Sequence, residues 1–242
     1  MRVFTCLTGA AALLATAACD VSVQTSDASN EVAQNEASQP ESQQTDPYAP
    51  NPAAIARARQ LAASEASEEQ RRQLREQARA EVQNLRVVVD ISDRQLRLLD
   101  GDRVLETHPV AVGSEEWPTP TGSWKFHRVD INPEWVPPKS EEWAKDETTK
   151  APGDPENPMG RARLVYRMPN TVHGTDDLNS LGKAVSHGSI RVANEVALDL
   201  AEKLLKAGNA WEGPNWFRRM TENRTTEYQV DLADGVPIEV QE

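Results

Sequence analysis

Thiols are all but missing from this chain. Its 242 residues include two cysteines, Cys6 and Cys19, both near the start. Beyond residue 19 there is no disulfide, no zinc–thiolate site and no cysteine nucleophile, so covalent chemistry there must use oxygen or nitrogen. Cations are missing from residues 20–50, which carry Asp20, Asp27, Glu31, Glu36, Glu41 and Asp46 without one Lys or Arg. That local charge of −6 is half of the chain's −12. A tract so polar buries too little apolar surface to offset its ordering entropy, and a disordered acidic linker is expected over 19–50. A basic cluster is missing too, which excludes nucleic acid as a partner. So are long apolar runs. The run from Val3 to Ala18 falls short of a comfortable membrane span. It follows Arg2 and ends in the small residues Thr16, Ala17 and Ala18, the pattern of an export signal over 1–18. No cluster of His, Cys, Asp and Glu has metal-ligand spacing, so neither metal nor organic cofactor is expected.

What is present begins at Asn51-Pro52, an N-cap followed by proline at the first helical position. From there to residue 85 the chain is rich in Ala, Glu, Gln and Arg, with no internal Gly or Pro. A helical spacer over 51–85 is expected. Its apolar stripe, Ile55, Leu61, Leu74 and Val82, is thin enough for a solvated spacer or one docked along a narrow seam. At Arg86 the pattern turns to β-branched runs. Alternation predicts strands over 86–91, 95–99 and 103–112, with a tight turn at Asp100-Gly101-Asp102. Another strand follows the turn at Pro120 and Gly122, and short strands resume in "RARLVYRM" and "TVHGT". Between them, residues 131–160 hold six prolines and read as a long irregular excursion, a candidate lid or groove wall. "NEVALDLAEKLLKAG" predicts an amphipathic helix capped by Asn194, lined by Val196, Leu200 and Leu204 and ended by Gly208. A hairpin turning at Ala233-Asp234-Gly235 closes the chain. The sum is a mainly β domain over 86–242 with one substantial α-helix.

Four histidines are available for chemistry. His108 and His127 fall in strand-like segments, where a lone imidazole is usually a surface or cross-strand residue. His173 ends a short β run before Gly174-Thr175, and His187 stands in Ser-His-Gly-Ser just ahead of the helix. An imidazole at a strand end and a hydroxyl at a strand-to-helix turn are the parts of a nucleophile–base pair. The sixteen residues between His173 and Ser189 admit many geometries.

Several blocks of this domain resemble the L,D-transpeptidase catalytic domain of the YkuD type: "VVVDISDRQLRLL", "AVGSEEWPTPTGSWKF", "INPEWVPP", "NPMGRARLVY", "VHGT" and "LGKAVSHGSIRVAN". The last two match the family signature except that serine replaces the nucleophilic cysteine. The resemblance implies a β-sandwich-like catalytic domain with the nucleophile at the mouth of a groove, acting on peptidoglycan stem peptides. It implies Ser189 as nucleophile, His173 as general base and the Gly174 carbonyl as the group that orients the imidazole. His187, Gly188 and position 189 would form the oxyanion loop, and Ser186, Arg191 and Asn194 would lie against substrate. Arg191 could meet a peptide carboxylate, or it and Asn194 could simply pin the loop. In the family the cysteine attacks the carbonyl of a meso-diaminopimelate residue, releases the terminal D-alanine and passes the acyl group to an amine on a second stem.

A thiolate is drawn out by a nearby cation, whereas a hydroxyl must lose its proton to a base during attack. Ser189 therefore fits a working acyltransferase, a peptide hydrolase in which water replaces the amine, a murein-binding pseudoenzyme without turnover, or a cysteine replaced by design. The end of the leader resembles a bacterial lipoprotein signal, implying lipidation at Cys19 and a protein anchored to a membrane in the periplasm. Cleavage after Ala18 without lipidation is the other reading.

Overall fold

The computed structural model describes residue 46 and residues 48–242. The leader, Cys19 and the acidic linker up to residue 45 lie outside the described residues. No described helix is long and apolar enough to cross a membrane.

Residues 51–85 form two helices, where the composition predicts one. In α1 (Pro52–Glu65), Asn51 caps the start by accepting from the N–H groups of Ala53 and Ala54. α2 (Glu68–Ala80) opens on a capping box, with Ser67 and Gln70 bonding each other's backbone N–H. That box is the physical reason for the break. It supplies a helix start in mid-run, and Ala66 is correspondingly extended, φ −151° and ψ 155°. The pair is docked, not solvated. Ala54, Ala58 and Ala62, one per turn, are buried along a seam against the domain. The Trp216 indole N–H donates to the Ala58 carbonyl, and Arg71 and Arg75 both reach Glu212.

The domain is mainly β, as its alternation predicts. β1 (Leu85–Asp90), β2 (Gln95–Asp100) and β3 (Arg103–Pro109) form an antiparallel meander. Gly101, at φ +58°, makes the Asp-Gly turn between the last two. β3 ends at Pro109, short of the expected 112. The chain then crosses to form β4 (Val112–Gly113), which pairs in parallel with β8 (Ala184–Ser186) in a small separate sheet. β5 (Gly122–Ile131), β6 (Ala162–Arg167), β7 (Asn170–Thr175), β9 (Ile190–Ala193) and β10 (Tyr228–Gln241) complete an eight-stranded sheet of order β3-β2-β1-β10-β5-β6-β7-β9.

The terminal hairpin expected at Ala233-Asp234-Gly235 is instead one fourteen-residue strand. Both of its halves pair with β5, and the register shift between Asp231 and Val236 absorbs the Asp-Gly signal as a bulge. Asp234 is held there by its N–H to the Gly208 carbonyl and by Arg79. α3 (Asn194–Ala207) lays Ala197, Leu200, Ala201, Leu204 and Leu205 on the sheet, the face of a 3.6-residue period. Val196 is only partly buried at its edge. α4 (Pro214–Glu222) is a further short helix. The excursion at 131–160 has one turn of 3-10 helix, Glu142–Ala144, and an isolated bridge between Trp135 and Lys150.

Candidate active site

Period-two alternation builds the site. β7 and β9 run side by side in parallel, with Val172 opposite Ile190 and His173 opposite Arg191. Val172 and Ile190 are fully buried in the core. Their neighbours Thr171, His173, Ser189 and Arg191 therefore emerge together on the other face. There they line a single cavity of about 640 Å³. His173 on β7 and Ser189, in the turn just ahead of β9, sixteen residues apart in sequence, are thus brought to one wall. The Ser189 Oγ accepts a hydrogen bond from the Thr171 N–H at 3.2 Å.

His173 is 3% exposed, and its Nδ1 stands 2.9 Å from the Gly174 carbonyl. A carbonyl only accepts, so Nδ1 carries the hydrogen and the neutral ring keeps its lone pair on Nε2. Burial drives the imidazole pKa down to about 4, and Arg191 and Arg163 push the same way against the Gly174 and Pro158 carbonyls. At neutral pH the ring is uncharged. It has a free lone pair for a hydroxyl proton, as a weak base, and carries no charge with which to stabilise a thiolate.

The turn at 186–189 closes on itself. The Ser186 Oγ donates to the Ser189 carbonyl at 2.5 Å and accepts from the Gly188 N–H at 3.2 Å. Ser186 borders the cavity yet is almost fully buried. Its hydroxyl is used in turn closure, where the sequence suggests substrate contact, and the Gly188 N–H that the resemblance assigns to the oxyanion loop bonds Ser186. Gly188 is obligatory here. Its φ is +94°, and a Cβ would come within 2.6 Å of the Asn170 Nδ2. His187 is clamped between two indoles, stacked on Trp143 at 3.9 Å and tilted against Trp117 at 4.3 Å between ring centroids. Burial, then Arg191, lowers its pKa.

Arg191 is half-buried in the cavity wall. Among the described residues its guanidinium has no ion pair or side-chain hydrogen bond, although its backbone is doubly bonded to Ala111. Desolvation lowers its pKa, with Asp177 the only opposing charge. A planar cation left without a partner on the same wall as Ser189 is suited to a carboxylate.

Asn194 does not reach the cavity and does not cap α3. It is the first residue of the helix, and Ala193 holds the cap position without a side-chain bond. The Asn194 Oδ1 instead accepts from the Arg161 N–H at 2.8 Å, and its Nδ2 donates to Asp176 at 2.7 Å. It ties the Arg161 backbone to Asp176, two residues past Gly174, and a Cβ on Gly174 would meet that same Oδ1 at 2.2 Å. The fixed Gly174 carbonyl in turn holds the His173 ring.

Sequence reasoning misses Tyr48, Trp117, Trp143, Arg163 and Asn170, all of which line the cavity. Thr171 was legible in principle, since it shares the β7 face with His173. Trp117 comes from a loop and Trp143 from a single 3-10 turn, where no periodicity marks them.

A family model described as the L,D-transpeptidase catalytic domain matches residues 84–211. The putative L,D-transpeptidase YkuD of Bacillus licheniformis is 33% identical over 117 residues, 48% of this chain and 58% of that protein. The probable L,D-transpeptidase YbiS of Escherichia coli K12 is 29% identical over 170 residues, 61% of this chain and 55% of that protein. The chain therefore spans somewhat over half the length of these relatives. Among solved structures, L,D-transpeptidase 3 from Mycobacterium tuberculosis superposes with a TM-score of 0.42 at 18% identity, covering 66% of this chain and 61% of that one.

Proposed function

The chain belongs to the L,D-transpeptidase catalytic-domain family, and from that membership we propose that it transfers acyl groups between peptidoglycan stem peptides, with Ser189 as nucleophile and His173 as base. The observation that carries this reading is the shared wall. Ser189 at the mouth of β9, a neutral His173 on β7 and an unpaired Arg191 on β9 face one cavity.

In the proposed reaction a stem peptide seats a carboxylate against Arg191. The Ser189 hydroxyl turns from the Thr171 N–H toward the His173 Nε2 and gives up its proton as Oγ attacks the scissile carbonyl. Collapse of the tetrahedral intermediate breaks the bond to the terminal D-alanine, whose amine takes the proton from His173. The acyl group is left on Ser189 as an ester. An amine of a second stem attacks that ester, His173 takes its proton and returns it to Ser189, and the new amide leaves. Gly174 and Asn194 position the base, while Trp117, Trp143 and Ser186 position the turn that carries the nucleophile. The substrate places this work outside the cytoplasm, with the leader delivering the chain and Cys19 as its lipid anchor.

Incubating the chain with disaccharide-tetrapeptide and following mass tests the reaction. Loss of D-alanine with formation of cross-linked dimer is the expected result, and it should vanish in His173→Ala. Loss without dimer would assign a hydrolase. One observation favours a second reading, a murein-binding protein without turnover: at rest the Ser189 Oγ bonds the Thr171 N–H and not His173. Peptide retained but unchanged would establish that reading.

A further inference from the structure

The cavity wall includes a residue from well outside the matched domain. Tyr48 stands thirty-six residues ahead of position 84, where the family match begins, yet it lines the same cavity as Ser189 and His173. Its segment is built rather than draped. The Tyr48 N–H donates to the Asp46 Oδ1 at 2.9 Å, and the Ala49 N–H to the Asp46 carbonyl at 3.1 Å. Three residues on, the Asn51 N–H donates to the Gln229 Oε1 at 2.7 Å and its Nδ2 to the Glu227 Oε2 at 3.3 Å.

Glu227 is itself buried and lies 3.8 Å from Arg163. Arg163 lines the cavity and is fixed at its other side by the fully buried Asp130. The anchor of the upstream segment and the groove wall are thus successive members of one polar network. Ordering a backbone residue costs about 1–2 kcal/mol, a cost this polar segment offsets through these bonds and through the half-buried phenol. Burial is also the main reason the Tyr48 hydroxyl titrates above its ordinary value, with the Glu141 and Asp46 carboxylates adding to it. Glu141 belongs to the proline-rich excursion and lines the cavity as well, so the phenol and the loop that carries Trp143 border the same space.

We propose that Tyr48 is a specificity-determining residue of the groove, a wall supplied by the segment upstream of the catalytic domain that narrows access to Ser189 and contacts the bound stem peptide. The contact with a stem peptide rests on the acyl-transfer reading above, whereas the narrowing does not. The wall selects by size, and its phenol presents a flat apolar face with one hydroxyl, a surface suited to an amphipathic peptide.

Two measurements on the full chain test this. In a background of Ser189→Cys with Cys6→Ser and Cys19→Ser, the introduced thiol is labelled with a small reagent, acrylamide, and a bulky one, fluorescein maleimide. Tyr48→Ala should raise the bulky-to-small rate ratio severalfold. Gln229→Ala, which removes the acceptor of the Asn51 backbone N–H and keeps the phenol in the chain, should raise it too. With Ser189 intact, Tyr48→Ala should weaken binding of disaccharide-tetrapeptide about tenfold, read by quenching of Trp117, Trp135 and Trp143. An unchanged rate ratio overturns the wall, and unchanged peptide affinity overturns the contact. If the intact chain does not bind the peptide at all, the stem-peptide reading falls, and the rate ratio alone still decides whether Tyr48 walls the groove.

Discussion

Replacing His173 by glutamine should remove most of one pH-dependent component of stability, and its size follows from the burial of the ring. Free histidine titrates near 6.5, and the buried ring near 4. As pH falls through 6.5 the unfolded chain takes up the proton first, so stability present at neutral pH is lost progressively down to about pH 4. Between about pH 7 and pH 4.5 the difference amounts to about 2.5 kcal/mol for this one group. Glu227 and Glu212, whose carboxyls burial pushes up, titrate with the opposite sign. They are present in both chains, so only the difference between wild type and His173→Gln isolates the histidine. Urea unfolding of the two chains at the two pH values is the assay. The wild type should lose about 2.5 kcal/mol more than the variant on acidification, read from the midpoints at constant m. The same pKa should appear as the acid limb of the transfer rate, with activity holding from pH 7 to about pH 5 and falling near pH 4. Parallel stability losses in the two chains, or an acid limb near 6.5, would refute a buried neutral base.

Other perturbations reach the remaining parts of the site. Ser189→Cys places a thiol on the same cavity wall as an uncharged imidazole. Acylation by a carbapenem, followed by mass, should therefore appear in this variant and rise between about pH 7 and pH 9 as the thiol ionises; a rate flat across that range would mean His173 is an imidazolium. Arg191→Met keeps the alkyl stem and removes the cation. It should weaken binding of the tetrapeptide about tenfold or more with little change in melting temperature, and equal affinity in calorimetry would show that no carboxylate meets Arg191. Gly188→Ala forces a side chain into φ +94° against the Asn170 Nδ2 at 2.6 Å. It should cost about 1–3 kcal/mol by denaturant unfolding and abolish transfer, and a chain of wild-type stability would show that the turn relaxes freely.

The sequence alone determined the local elements, because their signals are local. Asn51-Pro52 starts α1, the Asp-Gly pair turns β2 into β3, and Gly208 ends α3. The residue types of the 186–191 turn are local too, since six consecutive positions supply them. Elsewhere a local signal existed and was outweighed or passed over. Ser67-x-x-Gln70 divides the upstream helix, although composition reads straight through it. The Asp-Gly at 234–235 promises a hairpin, yet both flanking runs find β5 as partner, a choice made by pairing across about a hundred residues.

Only the tertiary structure decided the site. Sixteen residues of spacing allow His173 and Ser189 to be near or far, and it is the parallel pairing of β7 with β9 that fixes their level and their common face. Burial, a property of everything packed around the ring, lowers the imidazole to about 4 and keeps it uncharged at neutral pH. Asn194, a helix cap by every local rule, becomes a pin because Arg161 and Asp176 arrive beside it from other elements. Caps, turns and alternation act over a few residues and can be read in order along the chain. Depth, charge state and the company a side chain keeps depend on surfaces that meet only when the chain has folded.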